Sequence, residues 1–110
     1  MVPAAGAYGV PTVVRVESAA RIRIGRVLDL GAAGVMLPRM DTAAEVAEAV
    51  RHLRYPPAGD RGVATYNRAC RFALDPGALA RAGNEVLGVV QIESASAVDQ
   101  VEEIAAIDGV

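Results

Sequence analysis

Lysine is missing from this sequence, and all 11 of its basic residues are arginines. The chain can therefore form no Schiff base with a carbonyl substrate and can offer no phosphate-loop lysine. Tryptophan is absent as well, and a single phenylalanine, Phe72, accompanies three tyrosines. Core packing must rest on small and branched aliphatic residues, which suits helices laid closely on strands. The lone cysteine, Cys70, excludes an internal disulfide and fits a reducing compartment. No histidine or second cysteine is close to it in sequence, so a small buried or half-buried side chain is expected there. Arg, Asp or Gly interrupts every apolar run well short of the roughly 20 residues a membrane helix needs. Residues 1–10 carry neither a basic stretch nor a leader-like apolar core, and a cytoplasmic location is the expectation. A formal charge of -2 leaves no electrostatic footprint for nucleic acid.

What remains is a globular composition, 53% hydrophobic and 22% charged over 110 residues, enough for one small domain or a piece of a larger one. Strand-like and helix-like segments alternate. Residues 12–16 (TVVRV) are β-branched, follow Pro11 and predict a strand. Ser18 is placed to cap a helix reaching about Leu30, with Ile22, Val27, Leu28 and Leu30 as its apolar face and Gly31 and Gly34 ending it. Residues 34–38 (GVMLP) predict a second strand. Thr42 and Glu45 form a capping-box pair that opens a helix carrying Ala43, Val46, Ala47, Val50 and Leu53 on one face.

Paired prolines and two glycines make residues 55–62 (YPPAGDRG) a loop, with a short extended piece expected over residues 62–65. Asp75 and Pro76 read as N-cap and first helical residue of a short helix closed by Gly83 and Asn84. Residues 86–92 (VLGVVQI) are apolar on both faces, as in a parallel strand covered by helices. A last helix starts near Ser96, with Val98, Val101, Ile104 and Ala105 on one side, and residues 108–110 look like the start of a further strand.

Strand starts thus fall near residues 12, 34, 62, 86 and 109, a pitch typical of successive βα units. A doubly wound sheet and an arc of a (β/α)8 barrel both alternate in this way. A sheet with both edges open and a strand just beginning is an unlikely complete domain. The expectation is therefore an α/β fold in which residues 1–110 form a single incomplete domain, the central arc of a TIM barrel covering roughly strands 3 to 6 and the start of 7.

In either parallel architecture the functional groups gather at the carboxyl ends of the strands. Arg15 interrupts one strand near its end, and Gln91 with Glu93 closes another. Period-two geometry points Gln91 and Glu93 to the same side. An unpartnered guanidinium or carboxylate is costly to bury, so these groups must face water, each other, a metal or a substrate. A merely solvated turn is the alternative that the residues by themselves leave open. His52 is expected on the exposed side of its helix among Glu48, Arg51 and Arg54, and Glu102 and Glu103 on a solvated face. Arg61, Arg68 and Arg71 follow the proline-rich loop and are assigned to surface or loop-stabilising ion pairs, with a substrate carboxylate or a subunit contact as the alternative.

VVRV, VLDLGAAGVMLP, RHLRYPPAGDRGV and VVQIES, in that order, resemble the HpcH/HpaI aldolase and citrate lyase family over nearly the whole chain. RYPPAGxRG, at residues 54–62, is the most specific element and points to the branch acting on 4-hydroxy-2-oxo acids. Residues 17–24 (ESAARIRI) depart from the pattern, since many relatives carry Pro or Asp-Pro there. The resemblance implies a TIM barrel of the phosphoenolpyruvate/pyruvate type and a class II aldolase. Such an enzyme is a carbon–carbon lyase that cleaves 4-hydroxy-2-oxo acids to pyruvate and an aldehyde. Cleavage beside a ketone produces an enolate, which a divalent cation stabilises.

By resemblance Glu93 is a metal ligand, with Mg2+, Mn2+ or Co2+ as cofactor. Arg15 stands beside the enolate oxygen as a catalytic and substrate-binding group, and Gln91 contacts the pyruvyl moiety. Asp29 is the carboxylate that raises the basicity of a catalytic histidine. In the family that histidine lies on a strand before this segment, and a second metal aspartate lies on the strand beginning at Val110. This chain alone is therefore expected to be inactive or nearly so. The resemblance also implies a small-molecule oxo-acid substrate, no nucleic-acid or membrane partner, and a homo-oligomer. Two further readings are a CoA-ester lyase acting on citryl- or malyl-CoA, against which RYPPAGDRG argues, and a noncatalytic fragment or interaction module derived from the barrel.

Overall fold

A short helix, α1 (Val2–Ala7), leads into three parallel strands, β1 (Val13–Arg15), β2 (Gly34–Leu37) and β3 (Leu87–Val90), in the computed structural model. It describes residues 1–110 except for the side chain of Asn84. The strands lie in chain order, with Val13, Gly34 and Leu87 level at one end and Arg15, Met36 and Val89 level further along. Parallel neighbours require crossovers. Helix α2 (Arg21–Asp29) makes the first. The second runs through α3 (Ala43–Arg51), a long loop, a tight turn at Arg71–Ala73 and α4 (Ala78–Asn84). Two short helices, α5 (Ala95–Asp99) and α6 (Val101–Ala105), follow β3.

Local chemistry explains the firmest element. Thr42 accepts from the Glu45 amide while the Glu45 carboxylate accepts from the Thr42 amide, which completes the expected capping box at the start of α3. Gly31 follows the last turn of α2 at φ 92, the left-handed conformation in which glycine carries no side-chain penalty. Ser18 caps nothing; α2 starts instead after Ala20, without a side-chain cap. The Asp75 carboxylate accepts from the Gly77 amide and pairs with Arg81, and Gly77 is the N-cap of α4.

Strand alternation sorts the two faces of the sheet. Val35 and Leu37 are fully buried against Ile24 and Leu28 of α2 and Val46, Ala49 and Val50 of α3. On the opposite face Val13 and Leu87 are 47% and 53% exposed. The helices thus cover one face only, whereas residues 86–92 were expected to be covered on both.

The extended piece expected at residues 62–65 is not a strand, so the sheet has three strands where the spacing called for four and the start of another. Both edges of β2 are already occupied by β1 and β3. The amides of Asp60 and Arg61 bond instead to the carbonyls of Arg51 and Arg54, which pins the loop to the end of α3. Gly59 permits that approach, because a side chain there would collide with the same two carbonyls. Residues 108–110 form a turn, with Gly109 at φ 103, not a strand. A Cβ at Gly88 would lie 2.7 Å from the Gly109 carbonyl oxygen, so this turn closes directly over β3.

Candidate active site

Arg15 is the last residue of β1, and Gln91 follows the last residue of β3. The Gln91 amide continues the ladder by donating to the Leu37 carbonyl at 3.0 Å. Its side-chain oxygen accepts from the Arg15 Nε at 2.7 Å. Two residues on, Glu93 stays exposed at the same rim, and its Oε2 accepts from the Arg39 amide at 2.9 Å. Ser94 then caps α5 by accepting from the Ala97 amide, and its hydroxyl donates to Asp41 Oδ1 at 2.6 Å. The loops after β2 and β3 are therefore tied together on both sides of the Glu93 carboxylate. Glu17, beyond β1, pairs with Arg23 at 2.8 Å.

Asp29 is placed elsewhere. Helix α2 runs back from the carboxyl rim, so its last residue lies at the amino end of the sheet, a few residues before β2 begins. There Asp29 Oδ1 accepts from Arg61 and from Asn67, each at 2.9 Å, and its carbonyl receives the amides of Arg68 and Ala69. Arg61 is 2% exposed, donates to the Ala82 carbonyl at 3.0 Å, and stacks 4.5 Å from the Tyr55 ring centre. Of the two readings given to Arg61, the loop-stabilising ion pair is the one its contacts match. Burial pushes the Tyr55 phenol up to about 12, with Cys70 adding to the rise and the Arg61 charge opposing it. Cys70 is buried, as expected, with its sulfur 3.8 Å from the Tyr55 hydroxyl. Arg68 and Arg71 stay exposed.

His52 departs from its expected solvated position. Its side chain is only 11% exposed, with Nε2 3.8 Å from Asp60 Oδ1 and a buried Nδ1 that has no hydrogen-bond partner among the described residues. The cause is non-local: the loop folds Asp60 back over the end of α3, where it also approaches Arg51. His52 lines a cleft of about 830 Å³ together with Glu17, Arg21, Arg39, Asp41 and Glu45.

Arg39 is the site residue that sequence reasoning missed. It is a non-glycine residue at φ 51, and nothing in its immediate neighbours announces that conformation. Among the described residues no group of three or more His, Cys, Asp or Glu side chains is arranged to hold a metal ion. Glu93 is an exposed carboxylate two residues beyond Gln91. No helix among the described residues is long and apolar enough to cross a membrane.

A three-stranded parallel sheet with helical crossovers defines an α/β protein. The chain belongs to the HpcH/HpaI aldolase/citrate lyase family, whose sequence profile matches residues 1–110. It is 44% identical over 98 residues to a 4-hydroxy-2-oxovalerate aldolase of Novosphingobium aromaticivorans, covering 89% of this chain and 37% of that protein. It is 40% identical over 103 residues to a hydroxypyruvate/pyruvate aldolase of Sagittula stellata, covering 94% of this chain and 41% of that one. A crystal structure of an HpcH/HpaI aldolase/citrate lyase family protein from Burkholderia cenocepacia superposes with a TM-score of 0.90 at 40% identity, covering 99% of this chain and 46% of its own. The chain therefore spans less than half the length of these relatives.

Proposed function

We propose that this chain supplies the pyruvate-facing wall of a metal-dependent aldolase, which cleaves 4-hydroxy-2-oxo acids to pyruvate and an aldehyde. Residues 1–110 form a central arc of its (β/α)8 barrel, and the open sheet face bearing Val13 and Leu87 turns toward the barrel interior. The observation that carries this reading is the direct Arg15–Gln91 bond with Glu93 on the same rim.

Glu93 fits a hard divalent cation such as Mg2+, Mn2+ or Co2+. It is an exposed carboxylate steadied through one oxygen by a backbone amide, with the other oxygen free of that bond. A cation held there supplies a Lewis acid for the negative charge that builds on the keto oxygen as the carbon–carbon bond breaks. Such ions take about six oxygen ligands, several of which are commonly water or substrate oxygens.

Arg15 commits its Nε to Gln91, which sets the plane of the guanidinium and leaves the terminal nitrogens to donate to an anionic oxygen. Because the guanidinium stays charged at any working pH, it stabilises that oxygen without giving up a proton. Gln91 keeps its side-chain NH2 for the pyruvyl carboxylate. Asp29 lies at the opposite end of the sheet from this rim. Arg61 and Asn67 hold its Oδ1 there, away from Arg15, Gln91 and Glu93.

The test is a chimera in which this chain replaces the matching 98 residues of the Novosphingobium aromaticivorans relative. The chimera is expected to release pyruvate from 4-hydroxy-2-oxovalerate only when Mn2+ or Mg2+ is supplied, and Glu93→Gln is expected to abolish that release. The 110-residue chain alone is expected to release none. A folded chimera without turnover, or full turnover in the Glu93→Gln chimera, sinks the reading.

A further inference from the structure

Among the described residues the Glu93 carboxylate accepts one hydrogen bond, and it comes from a residue in an unusual conformation. Arg39 sits at φ 51, in the left-handed region that non-glycine residues seldom enter. Its neighbours Pro38 and Met40 are both buried, while Arg39 itself is exposed. The left-handed step lets the chain bury the residue on either side of position 39. At the same time the amide between them is aimed at the Glu93 carboxylate, 2.9 Å away. An amide bonding to an ionised oxygen is stronger than a neutral pair and fixes one rotamer of the acid. The guanidinium does something separate: it donates to the Glu17 carbonyl at a long 3.3 Å. On the far side of the same loop pair, the Ser94 hydroxyl bonds Asp41 at 2.6 Å, so the turn that carries Arg39 is braced where it meets Glu93.

We propose that Arg39 is a positioning residue for Glu93, and that it acts through its left-handed backbone amide, not through its guanidinium. One Glu93 oxygen is held by that amide, which leaves the other available to a cation. The inference rests on Glu93 being a metal ligand, and it makes an unusual demand on substitutions at position 39. Glycine enters the left-handed region freely and should preserve the function although it deletes the whole charged side chain. Valine, which resists that region, should damage it.

The experiment adds Mn2+ alone to the isotope-labelled chain and follows paramagnetic broadening of the Glu93 and Ser94 amide resonances. This readout needs no turnover and tolerates weak binding. The unaltered chain should broaden at these positions, and Glu93→Gln should not. Arg39→Gly should respond within about twofold of the unaltered chain, while Arg39→Val should need about tenfold more Mn2+, the scale typical of residues that orient a ligand. Arg39→Ala, a milder change, serves if the valine variant does not fold, and it should fall between the two.

Broadening that survives Glu93→Gln overturns the metal reading itself. Loss in Glu93→Gln together with an unchanged response in folded Arg39→Val or Arg39→Ala overturns the positioning role and leaves the metal reading standing. A tenfold loss in Arg39→Gly assigns the effect to the guanidinium and overturns the backbone mechanism.

Discussion

Arg15 reaches over β2 to bond Gln91, linking the ends of two strands that do not touch each other. Second-neighbour strands lie roughly 9–10 Å apart, a span that a long guanidinium side chain can bridge and a shorter donor cannot. That geometry makes Arg15→Lys a demanding test in the chimera described above. Lysine keeps the charge but loses the planar fork and the second set of donors. We expect kcat for pyruvate release to fall by about 100-fold, the usual consequence of removing a preorganised donor from a developing oxyanion. Gln91→Leu leaves the charge in place but unanchored, and its loss should be smaller. Steady-state kinetics with both variants checks the order; equal turnover in Arg15→Lys and the parent means the fork is not used.

The Arg61–Asp29 pair predicts a stability effect that is read without turnover. Arg61 is 2% exposed and Asp29 Oδ1 receives both it and Asn67. Removing one member of a buried pair strands the other, at a typical cost of roughly 3–5 kcal/mol. Arg61→Met leaves only Asp29, whose side chain is 39% exposed and still bonded by Asn67, and should cost about 1 kcal/mol. Asp29→Asn keeps an acceptor but leaves the buried Arg61 charge without its counter-ion, and should cost about 3 kcal/mol. Urea unfolding of the two single variants and the double variant measures the coupling; additive losses would mean that the two side chains do not work as a pair.

These two pairs mark the boundary between what the amino-acid sequence disclosed and what it did not. The Thr42–Glu45 capping box was legible because both partners sit within one helical turn. Arg15, Gln91 and Glu93 were legible as rim residues because parallel strands joined by helices put all their carboxyl ends on one side. The rest depends on one loop. Asp60 folds back over α3, buries His52 and aims Arg61 at Asp29, and no local pattern in residues 54–62 encodes those partners. The extra strand expected at residues 62–65 fails for the same reason. Pitch alone cannot reveal that β2 has both its edges filled by β1 and β3. Arg39 was silent because a left-handed arginine leaves no compositional trace, unlike a glycine at the same position.

Tyr55 supplies a pH prediction whose sign follows from its surroundings. Burial raises its phenol from 10.0 to about 12, Cys70 adds to the rise, and Arg61 over the ring pulls the other way. The folded chain thus holds the phenolic proton more tightly than the unfolded chain does. Below pH 10 both states keep the proton and the stabilisation is fully present. Between pH 10 and about 12 the unfolded state releases it first, so stability falls with rising pH until the folded state ionises as well. Tyr55→Phe removes this linkage and should flatten the alkaline limb of a plot of thermal midpoint against pH, even if the variant starts from a lower midpoint for want of the Cys70 contact. An unchanged slope in Tyr55→Phe would mean that the phenol is not the group whose burial resists ionisation.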